Sequence, residues 1–197
     1  MKLSIVTLKK FYIEDNQIFT YGGFGEYLTM LLSEYDEIEI IAPVSKHKFS
    51  GQYNISEDIK VIPLYSYTHE LDLIFKSVFN WPIIYQHVKK AEVVNPRIPD
   101  LTGLMGILAA KWHDKPHFIS IQSDLREMLK HENFTQRNYL LKFGMKLWFK
   151  FYVNMEERLT KNSIVICQGE GLIKRFSNNG RMVYPWISTT LSEHEIL

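Results

Sequence analysis

Apolar residues in this chain come in short blocks, each bounded by polar or turn-forming residues. Leu3–Leu8, Ile38–Pro43, Ile59–Pro63, Glu92–Asn95, His117–Gln122, Ser163–Cys167 and Arg181–Pro185 have this form. Consecutive β-branched and aliphatic residues without polar alternation fit strands covered on both faces of a parallel sheet. Pro43, the pair Pro96 and Pro99, and Pro185 are read as the stops of three of these strands. Between the blocks lie stretches with helical spacing: Gly23–Tyr35, with Tyr27, Met30 and Leu31 on one face; Leu71–Lys90, interrupted at Trp81-Pro82; Leu101–Trp112; Asp124–His131; Gln136–Thr160; and Gly169–Phe176. Gly103, Gly106, Ala109 and Ala110 let the Leu101–Trp112 helix pack closely on a sheet. Lys9–Thr20 and Val44–Asp58 are mixed or polar and read as loops. Strands alternating with helices predict an α/β fold: one Rossmann-like three-layer domain with a mostly parallel sheet of about seven strands.

In such a sheet a ligand binds outside the carboxyl ends of the strands, near the switch in strand order. Tyr21-Gly22-Gly23-Phe24-Gly25-Glu26 sits in that position, between the first strand and the first helix. Glycines there allow positive φ and close approach of a ligand, and the helix start offers free N–H groups to a phosphate or sugar hydroxyl. A dinucleotide fingerprint would need glycine or alanine where Leu28 stands, and no Walker lysine follows. Asn95-Pro96-Arg97-Ile98-Pro99-Asp100 follows the fourth strand. Arg97 either pairs with a ligand phosphate or carboxylate or is a solvated arginine. Asp100 reads as a helix cap. After the fifth strand, Gln122, Ser123 and Asp124 offer an amide, a hydroxyl and a carboxylate to sugar hydroxyls. Asp124 is the candidate general base, and the alternative for Ser123 or Asp124 is again a cap.

Composition narrows the class. The 197 residues are 46% hydrophobic with a net charge of +1, enough for one sizeable core and without the field that favours nucleic acid. The single cysteine, Cys167, excludes an intrachain disulfide and fits a reducing, cytoplasmic setting. No apolar run approaches the roughly 18 residues of a membrane span. Lys142, Lys146 and Lys150 fall on one helix face among Trp148, Phe149, Phe151 and Tyr152. That stripe is either solvated or lies on the inner face of an anionic membrane. The seven histidines show no metal-ligand spacing, and there is no nucleophile elbow.

Taken in order, these segments resemble the N-terminal half of a GT-B glycosyltransferase of the retaining group called family four. Gly22-Gly23-Phe24-Gly25-Glu26 is similar to that family's glycine-rich first loop, and EVVNPRIPDLTGLMGILAA (Glu92–Ala110) to its fourth strand, site loop and following helix. KPHFISIQSD (Lys115–Asp124), SIVICQGEGLIKRF (Ser163–Phe176) and MVYPWIST (Met182–Thr189) resemble the later strands up to the interdomain hinge. Gln122-Ser123 stands where the family often has His-Gly, Trp186-Ile187 where Asn-Gly is common, and Gln168-Gly169-Glu170 where a serine pattern is usual.

The resemblance implies that the whole chain, residues 1–197, is an acceptor-binding domain. It implies metal-independent, retaining hexosyl transfer, with no resident cofactor, from a nucleotide sugar held mainly by a C-terminal half that is not part of these residues. Gly22 and Gly23 would face the donor diphosphate or the acceptor, and Arg97, Gln122, Ser123, Asp124 and Glu170 would line the crevice. The acceptor would be a glycan or lipid-linked glycan in cell-surface polysaccharide assembly, and the partner a C-terminal half or another copy. Alone, the domain would bind acceptor without turnover. The rival expectations are a non-catalytic module for a glycan or phosphorylated ligand, and a nucleotide-dependent reductase, which the glycine pattern and the absence of an acidic residue after the second strand disfavour.

Overall fold

A computed structural model describes residues 1–15, 17–45, 48, 52–67, 70–127, 139–177 and 182–186. The first apolar block forms β1 (Lys2–Val6) at the centre of the sheet. From there the chain adds β4 (Glu37–Ser45) and β6 (Ile59–Leu64) outward on one side. Helix α2 (Glu70–Lys90) then carries it back across β1, and β7 (Val93–Ile98), β8 (Phe118–Ile121), β9 (Ile164–Gln168) and β10 (Met182–Trp186) extend the other side. All seven run parallel. The direction of winding reverses between β1 and β7, which is the topological switch of a doubly wound sheet.

The fold is Rossmann-like in general kind, but among the described residues the sheet holds ten strands rather than about seven. β2 (Phe11–Glu14), β3 (Gln17–Tyr21) and β5 (Gln52–Ile55) lie in the stretches read as loops. β2 pairs with the end of β4, and β3 joins β2 and β5 in an antiparallel flap. These strands cover only one face of the core, so polar residues interrupt their apolar ones and the block pattern is lost. The flap still contributes: Phe11 and Ile55 are buried with Phe24 and Leu28 of helix α1 (Phe24–Leu32).

Prolines end fewer strands than the sequence suggests, although β7 does stop at Ile98, just before Pro99. β4, β7 and β10 continue past Pro43, Pro96 and Pro185, and α2 runs on through Pro82. Each strand proline lies within two residues of its strand's carboxyl end, where one missing donor interrupts a ladder that is already ending. The consequence is that Arg97 belongs to a buried strand rather than to a loop after it.

Period-two alternation divides the core. Leu3 and Ile5 of β1 face α1 and the flap, whereas Val6 faces α2 and α3 (Leu101–Trp112). Helix α4 (Tyr139–Leu159) and α5 (Glu170–Phe176) close a third cluster around Ile119, Ile121 and Val165. Cys167 is buried there as a small apolar residue.

Helix α3 packs against the sheet through its glycines. A Cβ on Gly103 would lie 2.0 Å from the carbonyl oxygen of Arg97, and one on Gly106 2.8 Å from Val6 Cβ. Backbone cannot yield as a flexible side chain does, so Gly103→Ala must displace α3 or β7. We expect it to lower stability by about 1–3 kcal/mol, measurable by urea unfolding; an unchanged midpoint would show that the helix shifts freely.

Candidate functional site

At the switch β1 and β7 pair as far as Val6 and Pro96, and α3 starts just beyond the end of β7. Asp100 caps α3: its carboxylate accepts from the Gly103 N–H and, at 3.3 Å, from the Leu8 N–H just after β1. One side chain therefore ties the two strand ends together. Burial pushes the Asp100 carboxyl up to about 7, against the pull of these backbone donors. The hydroxyl of Tyr152, from α4, donates to the Asp100 carbonyl at 3.1 Å.

Along β7, Asn95 and Arg97 point to the α1 side. Asn95 is fully satisfied: its amide donates to the Phe118 carbonyl and to Ser120 Oγ, both at 2.9 Å, and its oxygen accepts from Tyr27 Oη at 3.2 Å. Arg97 is not. It is 2% exposed, and its Nε and Nη1 are buried without a hydrogen-bond partner. Its guanidinium carbon lies 4.1 Å from the centroid of the Phe24 ring, 5.1 Å from Tyr27 and 5.7 Å from Trp186 at the end of β10. Ring faces attract the cation but cannot accept its N–H bonds as a carboxylate would. Burial accordingly lowers its pKa to about 10, and it remains charged at neutral pH.

A second cation stands beside it. Lys9 Nζ lies 4.3 Å from the Tyr21 ring centroid and 5.4 Å from that of Phe24. Burial first, and then the charge of Arg97, lowers its pKa to about 8. Gly22, at φ +65°, turns the chain around this ammonium; a Cβ there would be 3.7 Å from it. Gly23 occupies the cap position of α1, and its carbonyl accepts from the Tyr27 N–H. The turn thus leads from Lys9 into the helix that carries Phe24 and Tyr27.

The structure gathers Gly22, Gly23 and Arg97 into one place, and the solvated reading of Arg97 does not hold. The remaining sequence candidates stand further along the same edge. Gln122 is exposed after β8, its N–H donating to the Ile98 carbonyl; Ser123 is half-buried, and Glu170 is exposed at the first position of α5. Asp124 accepts from the Arg126 N–H at 2.8 Å, as a cap does, and pairs with Arg175 at 2.7 Å. Arg175 also pairs with the buried Glu156 of α4. Asp124 is thereby held as part of a structural ion-pair network rather than presented as a free base. On α4, Lys146 and Lys150 are exposed beside exposed Leu147 and Phe151, while the side chain of Lys142 lies outside the described residues.

Sequence reasoning did not single out Lys9, Tyr27 or Asn95, and it met Trp186 only as a departure from a pattern. One signal was present: Asn95 and Arg97 are polar residues two apart in an otherwise apolar strand, so both must face one buried layer.

Among the described residues no group of His, Cys, Asp or Glu has the arrangement of a metal site, and no helix is long and apolar enough to cross a membrane. No protein-family model matches the chain, and no curated protein matches it in sequence.

Proposed function

We propose that these residues form the acceptor-binding half of a GT-B glycosyltransferase, acting on a glycan or lipid-linked glycan on the cytoplasmic side of a membrane. One observation carries the reading: a buried arginine with Nε and Nη1 lacking any hydrogen-bond partner lies near the carboxyl end of β7 at the topological switch, where a Rossmann-like sheet binds its ligand. An uncompensated buried cation is costly, and a fold that keeps one has a use for it. Aromatic rings around it suit the apolar face of a sugar. In this reading a second Rossmann-like unit holds the nucleotide sugar.

The engagement of Asp124 by Arg175 and the Arg126 N–H favours a second reading, a module that binds a glycan or phosphorylated ligand without catalysis. Saturation-transfer NMR with a panel of neutral and phosphorylated oligosaccharides tests the first reading, alongside a hydrolysis and transfer assay with nucleotide sugars. The expected result is saturable binding of saccharide and no turnover by these residues alone. Turnover of a nucleotide sugar by these residues without a partner would overturn the reading of them as a half-enzyme. Saturable NAD(P)H binding with no saccharide binding would overturn both readings in favour of a reductase.

A further inference from the structure

The glycosyltransferase reading leaves open what the crevice recognises, and its charge narrows the answer. Arg97 and Lys9 both sit over the Phe24 ring. Neither has a carboxylate partner among the described residues. The acid nearest in effect, Asp100, already holds the Gly103 and Leu8 N–H groups. Two cations with no acid between them repel each other, and this repulsion adds to burial, the larger cause, in lowering the basicity of Lys9. The walls are rings, not water: Phe24 is buried, and Tyr27 and Trp186 pack with centroids 4.8 Å apart. A charge placed there is screened far less than on the surface. Lys9, Tyr21 and Gly22 are at least partly open to solvent, so an anion can reach Lys9 from that side, with Arg97 buried behind the Phe24 ring that the two cations share.

We infer that Lys9 and Arg97 form a subsite for a phosphoryl group carried by the ligand. A dianionic phosphate ester or diphosphate matches two positive charges, whereas a carboxylate would leave one uncompensated. Arg97 supplies directed donors from a ring-packed, fixed guanidinium. Lys9 supplies a mobile ammonium at the mouth. Gly22 holds the φ of +65° that the turn beside Lys9 takes. The inference rests on the crevice being the ligand site, as proposed above. It deepens that reading by specifying that the acceptor, or the diphosphate of the donor, is recognised by its phosphoryl group.

Calorimetric titration distinguishes the cases. The probes are inorganic phosphate, pyrophosphate, a hexose 1-phosphate, uridine diphosphate and acetate, each against the wild type, Arg97→Met and Lys9→Met. Phosphoryl compounds should bind the wild type measurably more tightly than acetate. Affinity should fall at least tenfold in Arg97→Met and several-fold in Lys9→Met. A hexose phosphate bound more tightly than uridine diphosphate assigns the subsite to the acceptor, and the reverse order assigns it to the donor; either supports the inference. Equal affinities across the three proteins, or no phosphoryl binding at all, would overturn it. A neutral saccharide that binds all three proteins equally, with no phosphoryl compound binding any of them, would overturn it while leaving the glycosyltransferase reading in place.

Discussion

Arg175→Met should be among the most destabilising single substitutions in this domain, with a loss of about 3–5 kcal/mol. The reason lies in Glu156, which is fully buried on α4 and pairs with the Arg175 guanidinium. Its other carboxylate oxygen, Oε1, has no hydrogen-bond partner. Removing Arg175 leaves a carboxylate with no compensation in a low-dielectric site, and also frees Asp124 at the end of β8. Burial already raises the Glu156 pKa against the pull of Arg175. An acid whose folded pKa lies above its unfolded one binds more protons when folded. Stability therefore falls as pH rises above the unfolded value of 4.5. In Arg175→Met that slope should steepen, so the variant is closest to the wild type near pH 5 and furthest from it above pH 7. Chemical denaturation at several pH values measures this. Glu156→Gln in the same background should recover much of the loss, because a neutral amide costs less to bury than an unpaired charge. A uniform loss at every pH, with no recovery, would show that Arg175 acts by packing on Phe176, 4.6 Å from its guanidinium carbon, and not by charge.

The parallel frame of the fold was legible because buried parallel strands must be apolar on both faces, and the seven blocks of that kind are all strands. The cap at Asp100 and the small face of α3 were legible for local reasons: a short acidic side chain before an apolar helix, and glycines at packing positions. The flap was not, since Phe11–Glu14, Gln17–Tyr21 and Gln52–Ile55 gain their partners through pairing rather than through their own pattern. The site fell between these cases. Arg97 and the Gly22 turn were visible as local motifs, but what surrounds them comes from Lys9, Tyr27 and Trp186, which are distant in sequence. The ends of β1 and β7 lie side by side only because the winding reverses, and no local spacing records that meeting. Asp124 shows the opposite error. A carboxylate at a strand end reads as chemistry until its partner, Arg175 on α5, is placed beside it.

Arg97→Met separates a residue kept for stability from one kept for binding. A buried structural arginine has a carboxylate or carbonyls to hold it, and losing it is costly. Arg97 has buried Nε and Nη1 atoms without partners. Lowering its pKa from 12.5 to about 10 corresponds to about 3 kcal/mol against the charged form. Contacts with the faces of Phe24, Tyr27 and Trp186 return part of this, about 0.5–2 kcal/mol for a desolvated cation. Methionine fills a similar length with no charge to desolvate and packs well against rings. The expected outcome is a ligand-free domain as stable as the wild type, or more stable by about 1–2 kcal/mol, since exchanging a buried charge for an apolar side chain is often neutral or favourable. Pyrophosphate should raise the melting temperature of the wild type and not that of the variant, so the ranking of the two proteins narrows or inverts as ligand is added. A loss of more than about 2 kcal/mol without ligand would place Arg97 among the structural residues. A gain without ligand, together with a lost response to pyrophosphate, has a single physical origin: a cation held out of water for an anion that arrives from outside the fold.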